Sequence, residues 1–161
     1  MYKPLEQPNL RIETMTNQGP NSNIPQNADE HIASLRAALT TNAECGTTHY
    51  NLAVALMGKQ EYSEAEQVLH DAIECSPTLS EAYVLLGGIC LQRGDLEGCY
   101  RFNQRATKAR AGFAEGYGNM AFVLLQLIDG KDEKEDSEKL DKAIKFLKKA
   151  IIHNKNFVQA Y

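Results

Sequence analysis

The sequence predicts an all-α fold, a solenoid of stacked antiparallel helix pairs, and two observations carry that expectation. Apolar and small residues recur at a spacing of 34, and each recurrence falls in a segment with helical periodicity. Leu52, Leu86 and Met120 stand 34 apart, as do Ala53, Gly87 and Ala121, then Leu56, Cys90 and Leu124, and then His49, Tyr83 and Tyr117. Ala65 matches Cys99 and Ala72 matches Ala106, while Ala143 and Ala150 join them only if ten residues are inserted before them. A large residue followed by a small one lets the first helix of a pair press closely on the second, which needs its own small residues at the crossing.

Taken in order, residues 1–28 carry Pro4, Pro8, Pro20 and Pro25 among Asn, Gln, Thr and Ser, with almost no apolar periodicity, and read as a flexible arm. Subtracting 34 from Leu69, Ala72 and Ile73 gives Leu35, Ala38 and Leu39, so 29–45 is expected as the second helix of a half repeat that caps the array. The first full repeat, 46–79, places helices over 46–59 and 63–75, closed by Pro77. The second, 80–113, places them over 81–93 and 96–110, with Asn103 where Leu69 stands and Ala111 where Pro77 stands. The third, 114–157, opens with the apolar segment 114–128. A charged insertion around 129–138 follows, then a helix from about residue 137 bearing Leu140, Ala143, Ile144, Leu147, Ala150 and Ile151. Residues 158–161 read as the start of a further, incomplete repeat, so the last helix pair is expected to be covered by more chain or left partly open.

A unit of this length with large-small, alanine, alanine and a closing proline resembles the tetratricopeptide repeat (TPR) family over roughly 46–157. The resemblance implies a right-handed superhelical α-solenoid, and an architecture shared without a shared reaction. It also implies a concave face lined mainly by the first helix of each pair. Carried over place by place, that lining is Tyr50, Asn51, Val54 and Met57, then Val84, Leu85, Gly88 and Gln92, then Gly118, Asn119, Phe122 and Gln126. Relatives that clamp a chaperone's terminal carboxylate use lysine, asparagine and arginine at such places. Here Glu81, Val84 and Leu85, with Glu115 and Asn119, stand instead, so the cations are missing. What remains is an apolar trough in which Asn51 and Asn119 offer hydrogen bonds to a peptide backbone, a ladder interrupted by Leu85. The alternative is that Val54, Val84, Leu85 and Phe122 simply pack between helices.

Composition narrows the function classes. Seventeen basic and 21 acidic residues leave a net charge of −4, which disfavours non-specific binding to nucleic acid or an anionic membrane. No apolar run is long enough for a signal peptide or a membrane span, so a cytoplasmic protein is the expectation. Cys45, Cys75, Cys90 and Cys99 form no CxxC pair and read as small buried hydrophobes of a reducing compartment. His31, His49, His70 and His153 make no i, i+4 pair for a metal, and His49 stands where Tyr83 and Tyr117 do, as a packing substitute. The insertion lacks the ligand alternation and the Gly and Glu placement of a calcium loop. His70 and Asp71 are neighbours on one helix and point apart, so they form no dyad. No nucleophile motif or phosphate loop is present, so no catalytic residue, metal or cofactor is assigned.

These readings converge on a non-enzymatic interaction module or scaffold that binds a peptide segment of a protein partner in its groove, by apolar contacts more than by a charge clamp. The alternatives are the amino-terminal TPR region of a larger enzyme, or a small assembly or secretion chaperone. The uncovered stripe of Ile144, Leu147 and Ile151 adds the expectation of a homodimer through the last helix, or of a longer chain that covers it.

Overall fold

The computed structural model describes residues 27–43 and 45–154, and all regular structure among them is helical. Expectations for residues 1–26 and 155–161, which take in most of the arm and the further repeat, lie outside the described residues. The helices are α1 (Ala28–Thr41), α2 (Gly46–Gly58), α3 (Tyr62–Cys75), α4 (Ser80–Gln92), α5 (Leu96–Ala109), α6 (Ala114–Gln126) and α7 (Glu133–His153). Each packs on the next in chain order, the arrangement of a solenoid in which every pair needs its neighbours to bury its faces.

Local chemistry sets the helix ends. Asn27 caps α1 by accepting from the Glu30 N–H at 2.8 Å, and Asp95 caps α5 by accepting from the Gly98 N–H at 2.8 Å. Helix α7 starts at Glu133, four residues before the expected 137, because Asp132 accepts from the N–H groups of Lys134 and Glu135. Three acidic residues in its first turn complement the helix dipole there. Much of the insertion is thus two added helical turns. Lys139 fastens them by donating to the Leu127 carbonyl at 3.0 Å and pairing with Glu135 and Asp136.

The turns inside the first two full pairs share one geometry. Glu61 N–H reaches back to the Leu56 carbonyl at 3.0 Å, and Asp95 N–H to the Cys90 carbonyl at 2.9 Å, the six-to-one bond of a helix end that passes through a left-handed residue. That residue is Gly94, with φ +78°, in one turn and Gln60, with φ +64°, in the other.

The core follows the 34-residue register. Leu52, Ala53, Leu56, Ala65, Leu69 and Ala72 are buried between α2 and α3, and Ile32 of α1 joins them with Leu35 and Leu39 against the same cluster. Ala38, expected at the buried place that Ala72 fills, is exposed, because no described helix stands over that side of α1. In the next unit Leu86, Cys90, Cys99 and Ala106 are buried, and in the last Met120, Ala121, Leu124, Ala143 and Ala150. The reading of all four cysteines as buried needs correction: Cys90 and Cys99 are buried, Cys45 is half-buried and Cys75 is exposed. His49 is half-buried, with its Nδ1 at 3.1 Å from the Cys45 carbonyl.

Asn103 is the departure in this register, a fully buried polar side chain where Leu69 stands one unit earlier. Burying an amide is tolerable only when its donors and acceptor are satisfied. Its Nδ2 donates to the Cys99 carbonyl at 2.8 Å and to Cys99 Sγ at 3.6 Å, and its Oδ1 accepts from Asn119 Nδ2 at 2.9 Å. Room for it comes from Gly87, which replaces the alanine of the other units: a Cβ there would stand 2.5 Å from Asn103 Nδ2.

Candidate binding groove

Helices α2, α4 and α6 are the first members of their pairs, and equivalent places on them succeed one another along the array at the 34-residue spacing. One such place is occupied in turn by Val54, Gly88 and Phe122. Val54 keeps 41% of its surface exposed and Phe122 36%, and Gly88 between them is exposed, with nothing within 4 Å of where a Cβ would be. The neighbouring place holds Asn51, Leu85 and Asn119: Asn51 is exposed, Leu85 half-buried against the first core cluster, and Asn119 half-buried. Met57 and Tyr50 are also half-buried against that cluster, and Gln92 and Gln126 are exposed.

Three of the expected lining residues are used differently. Val84 and Gly118 are buried, Val84 in a cluster with Tyr83 and Ala106. Their shared register place points between helices, so neither offers surface to a ligand. Asn119 donates one of its two amide N–H groups to Asn103 Oδ1, which turns the side chain towards the core and weakens the asparagine ladder.

Electrostatics adds residues that apolar pattern alone did not single out as contacts. Glu81 and Glu115 begin α4 and α6 at places 34 apart. Partial burial pushes the Tyr50 phenol up, and the charges of Glu81 and Glu115 push it the same way, so a side chain from α2 feels carboxylates on α4 and α6. Arg110 neutralises Glu81 at 2.8 Å and lies over the Phe113 ring at 4.1 Å. Glu115 is exposed yet loses enough water to neighbours for its carboxyl to be pushed up, with Glu81 adding to the effect and Arg110 opposing it. The 34-residue repetition of a glutamate was the signal for this feature.

Among the described residues no three His, Cys, Asp or Glu side chains gather where a metal could sit. No described helix is long and apolar enough to cross a membrane. The arrangement offers contact surface, hydrogen-bonding amides and, in Glu115, a carboxylate that makes no ion pair among the described residues.

Fold and face together define a class, the TPR solenoid, and comparison with solved structures agrees. MamA matches over 82% of this chain and 71% of its own, with a TM-score of 0.64 at 20% identity. The pilF protein of Pseudomonas aeruginosa matches over 80% of this chain and 55% of its own, with a TM-score of 0.65 at 19% identity. YrrB, described as a TPR protein with an unusual peptide-binding site, matches over 83% of this chain and 63% of its own, with a TM-score of 0.61 at 22% identity. The chain therefore has the TPR fold. No protein-family model matches the sequence. Among curated proteins, Protein FlbA of Caulobacter vibrioides is 30% identical over 105 residues, 65% of this chain, and the chain spans 17% of FlbA's length.

Proposed function

We propose that this chain is a non-enzymatic protein-interaction module whose inner helices take up a polypeptide segment of a partner. The observation that carries the reading is the run Val54, Gly88 and Phe122, apolar or open at one register place on three successive inner helices. Apolar side chains aligned along a concave surface mark a binding surface more often than idle exposure does. The fold it shares with YrrB, whose description names a peptide-binding site, supports the same reading. A cytoplasmic setting and pairing of two copies through α7 belong to this proposal too, the latter supported by the exposure of Leu140 at 44% and of Ile144 and Ile151 at 41% each.

The test is capture of partners from the source cell on the immobilised chain and on Phe122→Glu. The substitution sits on a partly exposed ring, so the fold is retained, as a thermal melt verifies. Partners that disappear with Phe122→Glu support the groove, and an identical set on both proteins rejects it.

A second reading is that the array is the amino-terminal region of a larger enzyme; FlbA, in which the matched stretch is a small part of a much longer chain, supports the longer chain and says nothing of an enzyme. The size of the native protein in its source cell separates the two. A band near 17.9 kDa favours the free module, and a much larger one favours the second reading.

A further inference from the structure

Building on the groove reading, we infer that the partner segment places a bulky apolar side chain in a notch at Gly88 and a lysine or arginine against Glu115. Gly88 is exposed inside a helix, where glycine costs roughly 1 kcal/mol relative to alanine. Nothing in the packing of the described residues requires that sacrifice, since a Cβ there meets none of their atoms within 4 Å. Its neighbour Gly87 is different, because Asn103 fills the space a side chain would need. Val54 and Phe122 stand at the matching places of α2 and α6, and Leu85, one turn back on α4, is half-buried beside the notch. Gly88 thus leaves an open place on α4 between the register-matched apolar side chains of α2 and α6, with room for one large side chain.

Charge selects the second feature. Glu81 has its partner in Arg110, whereas Glu115 has no ion pair among the described residues, so the acidic end of the face carries one unmatched negative charge. Partial loss of water and the like charge of Glu81 disfavour that carboxylate more than Arg110 favours it, and the attraction of an arriving cation offsets that cost. Helical rise over the seven residues from place 115 to place 122, with the offset between helices, separates the two contacts by on the order of 10–15 Å, roughly three to five residues of an extended segment.

Short labelled peptides in a Gly/Ser background, with one Phe and one Lys at that separation, test this by fluorescence anisotropy on the full chain. Controls replace the Phe by Ala or the Lys by Glu. The parent chain is expected to bind the Phe/Lys peptide at least ~10-fold more tightly than either control. Gly88→Leu is expected to lose that binding ~10-fold with no fall in its melting temperature, since the added side chain occupies the notch and improves helix propensity. Glu115→Lys is expected to favour the Glu control. Loss of binding in Phe122→Glu but full binding in Gly88→Leu overturns the notch and leaves the groove reading standing. Binding untouched by Phe122→Glu rejects the groove reading as well. No binding of any peptide up to ~1 mM overturns the assignment of partner chemistry, while the partner capture with Phe122→Glu judges the groove independently.

Discussion

Gly87 and Asn103 are a matched pair, because the amide of one occupies the space a methyl on the other would need. The first unit solves the same crossing with Ala53 and Leu69, both buried. Gly87→Ala alone is therefore expected to destabilise by about 1–3 kcal/mol, through overpacking and a displaced buried amide. With Asn103→Leu also present the combination is the one the first unit already uses, so the penalty should shrink. Urea melts of the two single variants and the double variant measure this, and strictly additive losses would contradict the coupling. Cys99 offers a second test. Burial, with Cys90 adding to it, pushes its thiol up to about 11 from an ordinary 9.0. The folded chain thus holds a proton that the unfolded chain releases near 9.0, so stability is intact below that pH and declines as pH rises towards about 11. The loss is of order 2 kcal/mol at its full extent. Cys99→Ala, which installs the residue found at Ala65 and Ala143, should flatten that alkaline decline. An unchanged slope in urea melts between neutral and alkaline pH would show that other groups cause it.

Among the elements, the turn between α2 and α3 and the outer face of α7 make the sharpest statements. Gln60 adopts at φ +64° the conformation that Gly94 supplies in the next turn, and a residue with a Cβ pays for it. Gln60→Gly should raise stability by about 0.5–1 kcal/mol, the relief of strain exceeding the added freedom of the unfolded chain. A fall in melting temperature would mean that the side chain makes up for its backbone. Helix α7 exposes Leu140, Ile144 and Ile151, while Leu147 is half-buried against the cluster of Ala121, Leu124 and Ala143. A charge at Leu147 would therefore disturb the fold itself, and Ile144→Glu with Ile151→Glu is the cleaner probe of self-association. Sedimentation of the parent chain should show a mass that rises with concentration above 17.9 kDa, and the double variant should stay at that value. A parent chain that remains monomeric throughout would remove pairing through α7 from the account.

At the scale of the whole molecule, much of the helical order was legible because a solenoid repeats its packing and so repeats its sequence. Leu52, Leu86 and Met120 announce the same crossing three times. The early start of α7 could also be read, since Asp132 followed by Glu133, Glu135 and Asp136 is a helix-opening pattern. Less of the groove was legible. Register alone cannot tell an open place from one that a neighbouring helix covers, which is why Val84 and Gly118 were expected on the face and lie buried. Nor could it show that Asn119 turns to a buried Asn103, because that bond joins residues 16 apart in different pairs. The central claim is that the inner face receives the partner, and that α5, the second helix of its pair with the basic Arg101, Arg105 and Lys108, does not. Photo-crosslinking tests it most directly, with a photoreactive residue placed either at Phe122 or at Arg101, which is exposed on α5. Partner crosslinks that form from the Phe122 position and not from Arg101 are the expected result, and crosslinks confined to Arg101 would contradict the account.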